Sequence, residues 1–349
     1  MLDTLTKLTK DVIKAAASLH EQEIRYLVSM YYQLQDYRIA ASAQARTLTK
    51  SGQPNEVVSY IMHELGFLET EMKKVLMSYA SNRLDGIWAL SIPGIGPVIA
   101  SGLLAHIDIE KAPTAGHVWS YAGVTGNDKW LGKVKATEIV NSVTKKHNKK
   151  YTEEFFIDLA KETGRNISYL KNSGKSKTGT YTDTSIKRAC AMRPWNAELK
   201  TLVWKIGQSF VKVSNRDKDI YGKIYQERKA YEIAKNEAGE YAEQAKEKLD
   251  TVKIRDTTVA YSFYEKGLLP PGHIQQRAER YAAKIFLSHL HYVMYKVKYG
   301  KEPPAPFAIS ILGHAHEVPV PNRYIFDDVV MPESTLSLGD DFEESDNFS

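Results

Sequence analysis

The stretch LDGIWALSIPGIGPVIASGLLAHI, residues 84–107, carries the clearest structural pattern in this chain of 349 residues. It predicts a first helix, a tight turn over 93–96, and a second helix that begins near Pro97. Gly94 and Gly96 permit backbone conformations that a side chain would forbid, and Pro97 suits the first turn of a helix. The stretch therefore predicts a helix-hairpin-helix over 84–107.

A hairpin of this kind has a chemical use at the start of its second helix. The first backbone N–H groups of a helix have no partner within it, and the helix dipole is positive there. Such an arrangement binds a phosphate oxygen and holds the DNA backbone without reading bases. Gly94 and Gly96 are thus predicted DNA-binding positions. The alternative is a glycine-rich helix connection with no ligand.

The rest of the chain predicts a mainly α fold, in which an N-terminal coiled-coil helical hairpin precedes the domain that contains the helix-hairpin-helix. Apolar residues in the second N-terminal helix repeat at the 4-3 spacing of a coiled-coil seam. The seam consists of Ile61, Leu65, Leu68, Met72, Val75 and Tyr79. Its partner is either the preceding helix, which ends before Gly52 and Pro54, or a second subunit.

These patterns divide the chain into three predicted parts. Residues 1–82 form the coiled-coil helices, 83–326 a helical DNA-binding domain, and 327–349 an acidic tail that is expected to be disordered. Within the second part lies a basic insertion at 127–180, whose later portion is Gly/Ser/Thr/Lys-rich and predicts a mobile loop. A long helix is predicted over 273–299, with its end at the following glycine.

The charge distribution favours a polyanionic partner. The net charge is +5, and the 327–349 segment holds eight acidic residues and no lysine or arginine. Without those eight negative charges, residues 1–326 carry +13, a balance that attracts nucleic acid. The single cysteine, Cys190, fits a reducing compartment, and the chain has no long apolar run. We expect a cytoplasmic, nucleoid-associated protein with DNA as partner and no membrane contact.

Four segments together resemble a known family, the insertion-sequence 110/116/902 transposases. SIPGIGPVIASGLLAHI (91–107) and VWSYAGVTG (118–126) are similar to that family's "IPGIG" hairpin and "AYAG" helix. TDTSIKRACAM (182–192) resembles its "GNS-x-LRRAL" segment, and 272–293 resembles the basic helix that closes the domain. The resemblance covers the C-terminal, serine-carrying part of the family. The family's N-terminal RuvC-like domain, with its four metal-binding carboxylates, is expected to be absent.

The resemblance implies a nucleophilic hydroxyl for DNA strand transfer. Alignment on Lys187 and Arg188 places Thr184 in the serine position, and a slip of one residue places Ser185 there. A hydroxyl that attacks a phosphodiester needs cations to stabilise the developing charge. The predicted cations, which are also predicted DNA contacts, are Lys187, Arg188, Arg277, Arg280 and Lys284. The alternative is that Asp183 and Thr184 merely cap the following helix.

Histidines are the remaining candidates for chemistry. His289 and His291 lie two apart on a helix and so point to different faces, which excludes joint chelation and predicts surface histidines. His314 and His316 suit a metal better on a strand, but no metal site is expected there, and no cofactor is expected at all. Trp88, Trp119, Trp195 and Trp204 fall among apolar helical positions, which predicts that they lie in the core.

Three functions fit the sequence. The first is a transposase- or recombinase-like DNA-binding protein that acts in transposition, with serine-dependent strand transfer if it is an active enzyme. The second is a non-catalytic nucleic-acid-binding protein derived from such a transposase. The third is a coiled-coil structural or assembly protein. A guide or structured RNA and a second copy of the chain, paired through the coiled coil, are the further predicted partners.

Overall fold

The computed structural model describes residues 6–126, 130–304 and 318–327. Within these ranges it contains helices and no strand, only one isolated antiparallel bridge between Lys175 and Tyr181. The helices are α1 (Lys10–Ala15), α2 (Glu21–Lys50), α3 (Glu56–Ser81), α4 (Leu84–Leu90), α5 (Pro97–His106), α6 (Ala115–Tyr121), α7 (Gly132–Lys146), α8 (Glu153–Thr163), α9 (Ile167–Ser173), α10 (Asp183–Ala191), α11 (Ala197–Val213), α12 (Tyr221–Glu237), α13 (Ala242–Thr251), α14 (Val259–Glu265) and α15 (Pro271–Tyr299). The predicted mainly α fold is confirmed. None of the described helices is long and apolar enough to cross a membrane.

The chain forms two compact units. Unit 1 contains Met1–Ala115 and Lys205–Ser349, and unit 2 contains Gly116–Trp204. The predicted boundary after residue 82 lies inside unit 1, and both α4 and α5 belong to unit 1 with the N-terminal helices. The masked tail from residue 328 onward, including most of the predicted acidic tail, lies outside the described residues.

The N-terminal helices of unit 1 pack on each other as an antiparallel pair. Arg38 of α2 donates to the buried carboxylate of Glu69 on α3, with 2.5 Å between Nε and Oε1. Nearer the other end, the Lys73 ammonium lies 5.5 Å from the centre of the Tyr31 ring. The pair starts and ends where caps predict, because Asn55 caps α3 by accepting from the Val58 amide at 3.0 Å. Pairing with a second copy stays a prediction.

A buried aromatic cluster joins the later helices of unit 1. Trp88 of α4 stacks on Phe286 of α15 at 5.8 Å between ring centres, and Phe210 of α11 stacks on Tyr221 of α12 at 4.9 Å. All four rings are fully buried. Because large aromatic rings bury the most apolar area per residue, this cluster holds α4, α11 and α12 around α15. The long helix α15 ends before Gly300, as predicted.

The described segment 318–327 packs back onto these helices. The indole nitrogen of Trp88 donates to the Pro321 carbonyl at 2.8 Å, and Asn322 donates to the Ser91 hydroxyl at 2.8 Å. Nε2 of His289 lies 2.9 Å from the Val318 carbonyl oxygen. Phe326 at its end is fully buried. We call residues 318–327 the C-terminal strap.

Unit 2 is built around its own core. Phe155, Phe156 and Leu159 of α8 pack with Val140 of α7 and Ile186 of α10, all buried. The residues of the predicted basic insertion therefore form α7, α8 and α9, which share one core with α10. The sequence analysis did not anticipate these three helices. Lysines fill their exposed faces, so the basic composition masks the apolar residues spaced along the inner faces.

Two expectations about aromatic and histidine side chains are wrong. Trp204 is 57% exposed, although Trp88 is fully buried as predicted. His289 and His291 are buried in unit 1 and do not lie on the surface. The Tyr221 hydroxyl lies 2.7 Å from Nδ1 of His289, and Nε2 of His291 lies 2.8 Å from the Ala112 carbonyl oxygen. A histidine with a partner on each nitrogen buries well in the neutral form, which periodicity alone does not reveal.

The burial of His289 predicts a pH-dependent stability. Burial lowers the pKa of His289 from 6.5 to about 4. A group whose pKa is depressed on folding contributes stability that is complete above the unfolded pKa and is lost as the pH falls towards the folded one. We expect the free energy of unfolding to decrease by up to about 3 kcal/mol as the pH falls from 6.5 to 4. Urea unfolding at a series of pH values, followed by tryptophan fluorescence, measures this loss.

The variant His289→Gln isolates the contribution of this residue from those of all other titrating groups. It should be less stable than the wild type at pH 7, and the difference between the two should shrink as the pH falls through this window. A constant difference from pH 7 to pH 4 contradicts the assignment.

Candidate nucleic-acid interface

The hairpin turn in unit 1 is fixed by its contact with α11. Gly94 has φ of +91°, in the left-handed region, and its carbonyl accepts a hydrogen bond from the Ser209 hydroxyl at 2.6 Å. A Cβ on Gly94 would lie 3.1 Å from Ser209 Oγ and 3.3 Å from a Val213 methyl group. Both the backbone conformation and the close approach of α11 therefore require glycine at position 94.

Gly96 serves a different purpose from the predicted one. It is the N-cap of α5 with φ of −96° and ψ of 176°, an ordinary extended conformation, so the expectation that its backbone demands glycine is wrong. No atom lies within 4 Å of the position that its Cβ would occupy. Gly94 thus faces the protein, whereas Gly96 faces open space.

The start of α5 presents unpaired backbone donors at this open position. Pro97 has no N–H, and no side chain caps the helix. Among the described residues, none accepts a hydrogen bond from the amides of Gly96, Val98 or Ile99. Lys212, which precedes Val213 on α11 and is exposed, adds a positive charge within one helical turn of the hairpin. Three amides at the positive end of a helix suit an anion such as a phosphate.

The three predicted cations of α15 lie in unit 1 but differ in their surroundings. Arg277 donates to the buried carboxylate of Glu232 at 2.7 Å and stacks on Tyr241 at 4.5 Å, so a structural contact engages it. Arg280 is exposed and forms no hydrogen bond or ion pair with another described residue. Lys284 is half-buried, and burial together with the charges of Arg280 and Arg228 lowers its pKa.

The sequence analysis missed Arg228 and Glu232 on α12. Arg228 donates to Glu232 at 2.8 Å, and the Tyr241 hydroxyl donates to the same carboxylate at 2.6 Å. Burial alone would raise the pKa of Glu232, but the hydrogen bonds from Tyr241, Arg277 and Arg228 hold it below its usual range. The spacing of four between Arg228 and Glu232 was a visible signal, although the segment looked like a solvated helix.

The predicted nucleophile segment lies in unit 2, at the start of α10. Its N-cap is Thr182, so the expectation that Asp183 and Thr184 form the cap is wrong. Ser185 is buried and completes a capping box with Thr182, and its hydroxyl donates to the Gly174 carbonyl at 2.6 Å. Thr184 is exposed, and its hydroxyl has no partner among the described residues.

The neighbouring charged residues of α10 follow the helix outward. Asp183 accepts hydrogen bonds from Tyr151 at 2.8 Å and Thr144 at 3.3 Å, which fixes it against α7 and α8. Lys187 is half-buried, and Arg188 is exposed with one nitrogen donating to the Lys175 carbonyl at 3.2 Å. The i+3 and i+4 spacing places Lys187 and Arg188 on the side of α10 that carries Thr184. Unit 2 therefore brings together one exposed hydroxyl and two cations.

Metal and cofactor sites receive no support from the described part of the chain. No group of three or more histidine, cysteine, aspartate or glutamate side chains is placed there to hold a metal ion. His314 and His316 lie outside the described residues. Cys190 is buried, and burial raises the pKa of its thiol to about 11, which keeps it protonated and unreactive.

The geometry defines a helical protein with a tight, anion-ready turn between two short helices. Residues 89–150 match the family model described as Transposase IS116/IS110/IS902 family. The match bears out the resemblance of the hairpin and of the helix that follows it, and it supports a transposase-like function. It ends before Thr184 and Ser185. No curated protein and no solved structure matches the chain significantly.

The different surroundings of the two hairpin glycines predict different costs of substitution. Gly94→Ala should destabilise the protein by about 1–3 kcal/mol, because alanine is strained at positive φ and meets Ser209. Gly96→Asn should be neutral or slightly stabilising, because asparagine is a preferred N-cap and open space surrounds it. Thermal and urea unfolding compare the two variants. A larger loss for Gly96→Asn than for Gly94→Ala contradicts the geometry described for the turn.

Proposed function

We propose that this chain is a transposase-like protein that binds duplex DNA by its backbone phosphates at the start of α5. The observation that carries the proposal is the set of three unpaired amides at Gly96, Val98 and Ile99. These amides lie within the segment that matches the transposase family, residues 89–150. The hairpin scaffold leaves this side open because Gly96 has no neighbour within 4 Å of its Cβ position.

Electrostatics supports the same partner. Residues 1–326 carry an excess of 13 positive charges once the eight acidic residues of 327–349 are set aside from the net charge of +5. Such an excess binds DNA mainly through release of counterions from the phosphates, so affinity should decrease steeply with salt. Since backbone amides contact phosphates and not base edges, we expect little sequence preference from the hairpin. A guide or structured RNA and a second copy of the chain remain predicted partners.

For the chemistry, we propose Thr184 as the nucleophile and Ser185 as a structural residue. Strand transfer requires that a hydroxyl oxygen form a bond to a DNA phosphorus while the bond to the leaving oxygen breaks and that oxygen takes the proton. The Thr184 hydroxyl is exposed, whereas the Ser185 hydroxyl is buried and engaged by Gly174 and Thr182. Lys187 and Arg188, one turn along α10, would stabilise the charge that develops on the phosphate.

A specific observation also favours a second function, a non-catalytic DNA-binding protein. The residue that carries the family resemblance as a serine, Ser185, is only 6% exposed and caps α10. A chain that kept the hairpin and lost the reactive hydroxyl would bind DNA without forming a covalent intermediate. Adduct formation separates the two functions.

Duplex binding at the start of α5 is tested by a matched pair of variants at position 96. Asparagine and aspartate have nearly the same size and both cap helices, but aspartate adds a negative charge where the phosphate would lie. We expect Gly96→Asp to weaken duplex binding by about tenfold relative to Gly96→Asn at low salt. Fluorescence anisotropy with a labelled 20-base-pair duplex measures both affinities.

The salt dependence serves as an internal control for this pair. The gap between the two variants should narrow as the salt concentration rises, because screening weakens the added repulsion. Equal affinities for Gly96→Asp and Gly96→Asn at low salt would sink the hairpin as a phosphate site, even if the chain binds DNA elsewhere.

Substitution of the two hydroxyls distinguishes chemistry from capping. Ser185→Ala leaves the Gly174 carbonyl without its buried donor and should cost about 1–3 kcal/mol of stability, whereas Thr184→Ala should cost little. If the protein is an active transposase, Thr184→Ala should abolish a denaturation-resistant protein–DNA adduct on a gel while duplex affinity is unchanged. An adduct that survives Thr184→Ala but not Ser185→Ala reverses the assignment. The absence of any adduct with the wild type supports the non-catalytic function.

A further inference from the structure

One surface of unit 1 combines arginine, lysine and tyrosine side chains that neither the hairpin nor α10 uses. It runs along two neighbouring helices and consists of Arg228 and Tyr231 on α12 with Arg280, Tyr281 and Lys284 on α15. We call these five residues the α12–α15 face. The three-residue steps along α12 and α15 place the side chains of each helix on one side, as the direct contacts between them require.

A buried carboxylate fixes the geometry of this face. Glu232 is 1% exposed and accepts hydrogen bonds from Arg228 at 2.8 Å, from Arg277 at 2.7 Å and from the Tyr241 hydroxyl at 2.6 Å. A guanidinium held by a buried carboxylate has few rotamers left, so Arg228 is in position before any ligand arrives. Arg277 has the same anchor and serves as a positioning residue.

The anchored guanidinium of Arg228 lies against two tyrosine rings. Its carbon is 4.8 Å from the centre of the Tyr231 ring and 4.6 Å from the centre of the Tyr281 ring. Both rings remain in contact with solvent, at 50% exposed for Tyr231 and 36% for Tyr281. A cation at a ring is favourable in itself and also restrains the ring, which leaves two oriented aromatic surfaces at the edge of the protein.

Positive charge on this face exceeds the negative charge available to balance it. Glu232 already pairs with Arg228 and Arg277, and the Glu279 carboxylate accepts from the neutral amides of Gln208 and Gln275 at 2.6 Å and 2.7 Å. Arg280 therefore projects into solvent without an ion-pair partner among the described residues. Burial lowers the pKa of Lys284, and the charges of Arg280 and Arg228 lower it further. Crowded like charges cost stability, and a bound anion would relieve that cost.

We propose that the α12–α15 face binds a single strand of DNA, with phosphates at Arg280 and Lys284 and unpaired bases stacked on Tyr231 and Tyr281. The proposal rests on the DNA-binding function proposed above and adds a second site with a different substrate form. Stacking on a side chain requires an exposed base face, which a duplex covers and a single strand offers. Alternating cations and aromatic rings are the usual composition of surfaces that bind single strands.

The test replaces the two rings while it preserves the arginine anchor. The double variant Tyr231→Leu/Tyr281→Leu removes both stacking surfaces, and Tyr231→Phe/Tyr281→Phe keeps them without the hydroxyls. We expect the leucine variant to bind a labelled 15-nucleotide oligothymidine about tenfold or more weakly than the wild type, and the phenylalanine variant to bind it within about twofold. Tyr37→Leu, at a tyrosine that is 66% exposed on α2, is the matched control and should bind like the wild type.

Photocrosslinking provides a readout that does not depend on affinity. An oligothymidine with one 5-iodouracil, irradiated with the wild type, should form crosslinks that peptide mapping places at Tyr231 or Tyr281. Crosslinks that map only outside α12 and α15 overturn the proposal. Arg280→Gln together with Lys284→Gln should lower the slope of log affinity against log salt for the oligothymidine by about one to two, as loss of up to two phosphate contacts requires.

The arms of the experiment separate this inference from the proposed function. If the wild type binds a duplex and the leucine variant binds oligothymidine as tightly as the wild type does, the α12–α15 face is not the single-strand site, although duplex binding stands. An equal loss of duplex and oligothymidine binding in the leucine variant also overturns it, since stacking cannot account for the duplex. If the wild type binds neither DNA, the proposed function itself fails. Tighter binding of oligouridine than of oligothymidine overturns the assignment to DNA.

Discussion

The contact between the left-handed backbone of Gly94 and the side of α11 is the constraint on which the candidate interface depends. The Ser209 hydroxyl holds the Gly94 carbonyl at 2.6 Å, which turns the chain so that α5 enters the core of unit 1. Once position 94 faces inward, position 96 faces outward, and the first amides of α5 are left without partners. The packing that stabilises the turn thus also creates its capacity to bind an anion.

A second buried interaction organises the rest of the positive charge in unit 1. Glu232 gathers Arg228, Arg277 and Tyr241 around one carboxylate, which separates cations with a structural role from those that face solvent. Arg277 belongs to the first group, and Arg280 belongs to the second. The two groups are indistinguishable in a list of basic residues. The buried partner on another helix decides which of them retains its charge for a ligand.

Unit 2 illustrates a different relation between composition and structure. Its lysine-rich sequence suggested an insertion with a loop, yet Val140, Phe155 and Ile186 build one core for α7, α8 and α10. The nucleophile segment is therefore part of a folded unit, and the capping box at Thr182 turns Ser185 inward. A serine that satisfies a buried carbonyl is expensive to expose, because the carbonyl would lose its donor. The exposed hydroxyl at Thr184 carries no such cost.

The sequence by itself determined the features that depend on neighbours along the chain. It predicted the mainly α fold, the bounds of the hairpin from Gly94 and Pro97, the end of α15, and a resemblance that the match over 89–150 bears out. It could not decide which glycine meets α11, which arginine pairs with Glu232, or which of two adjacent hydroxyls points inward. Local propensity acts through residues a few positions apart, whereas these assignments depend on atoms that folding brings together from distant segments, such as Ser209 beside Gly94 and Gly174 beside Ser185. Only the tertiary structure could make those choices.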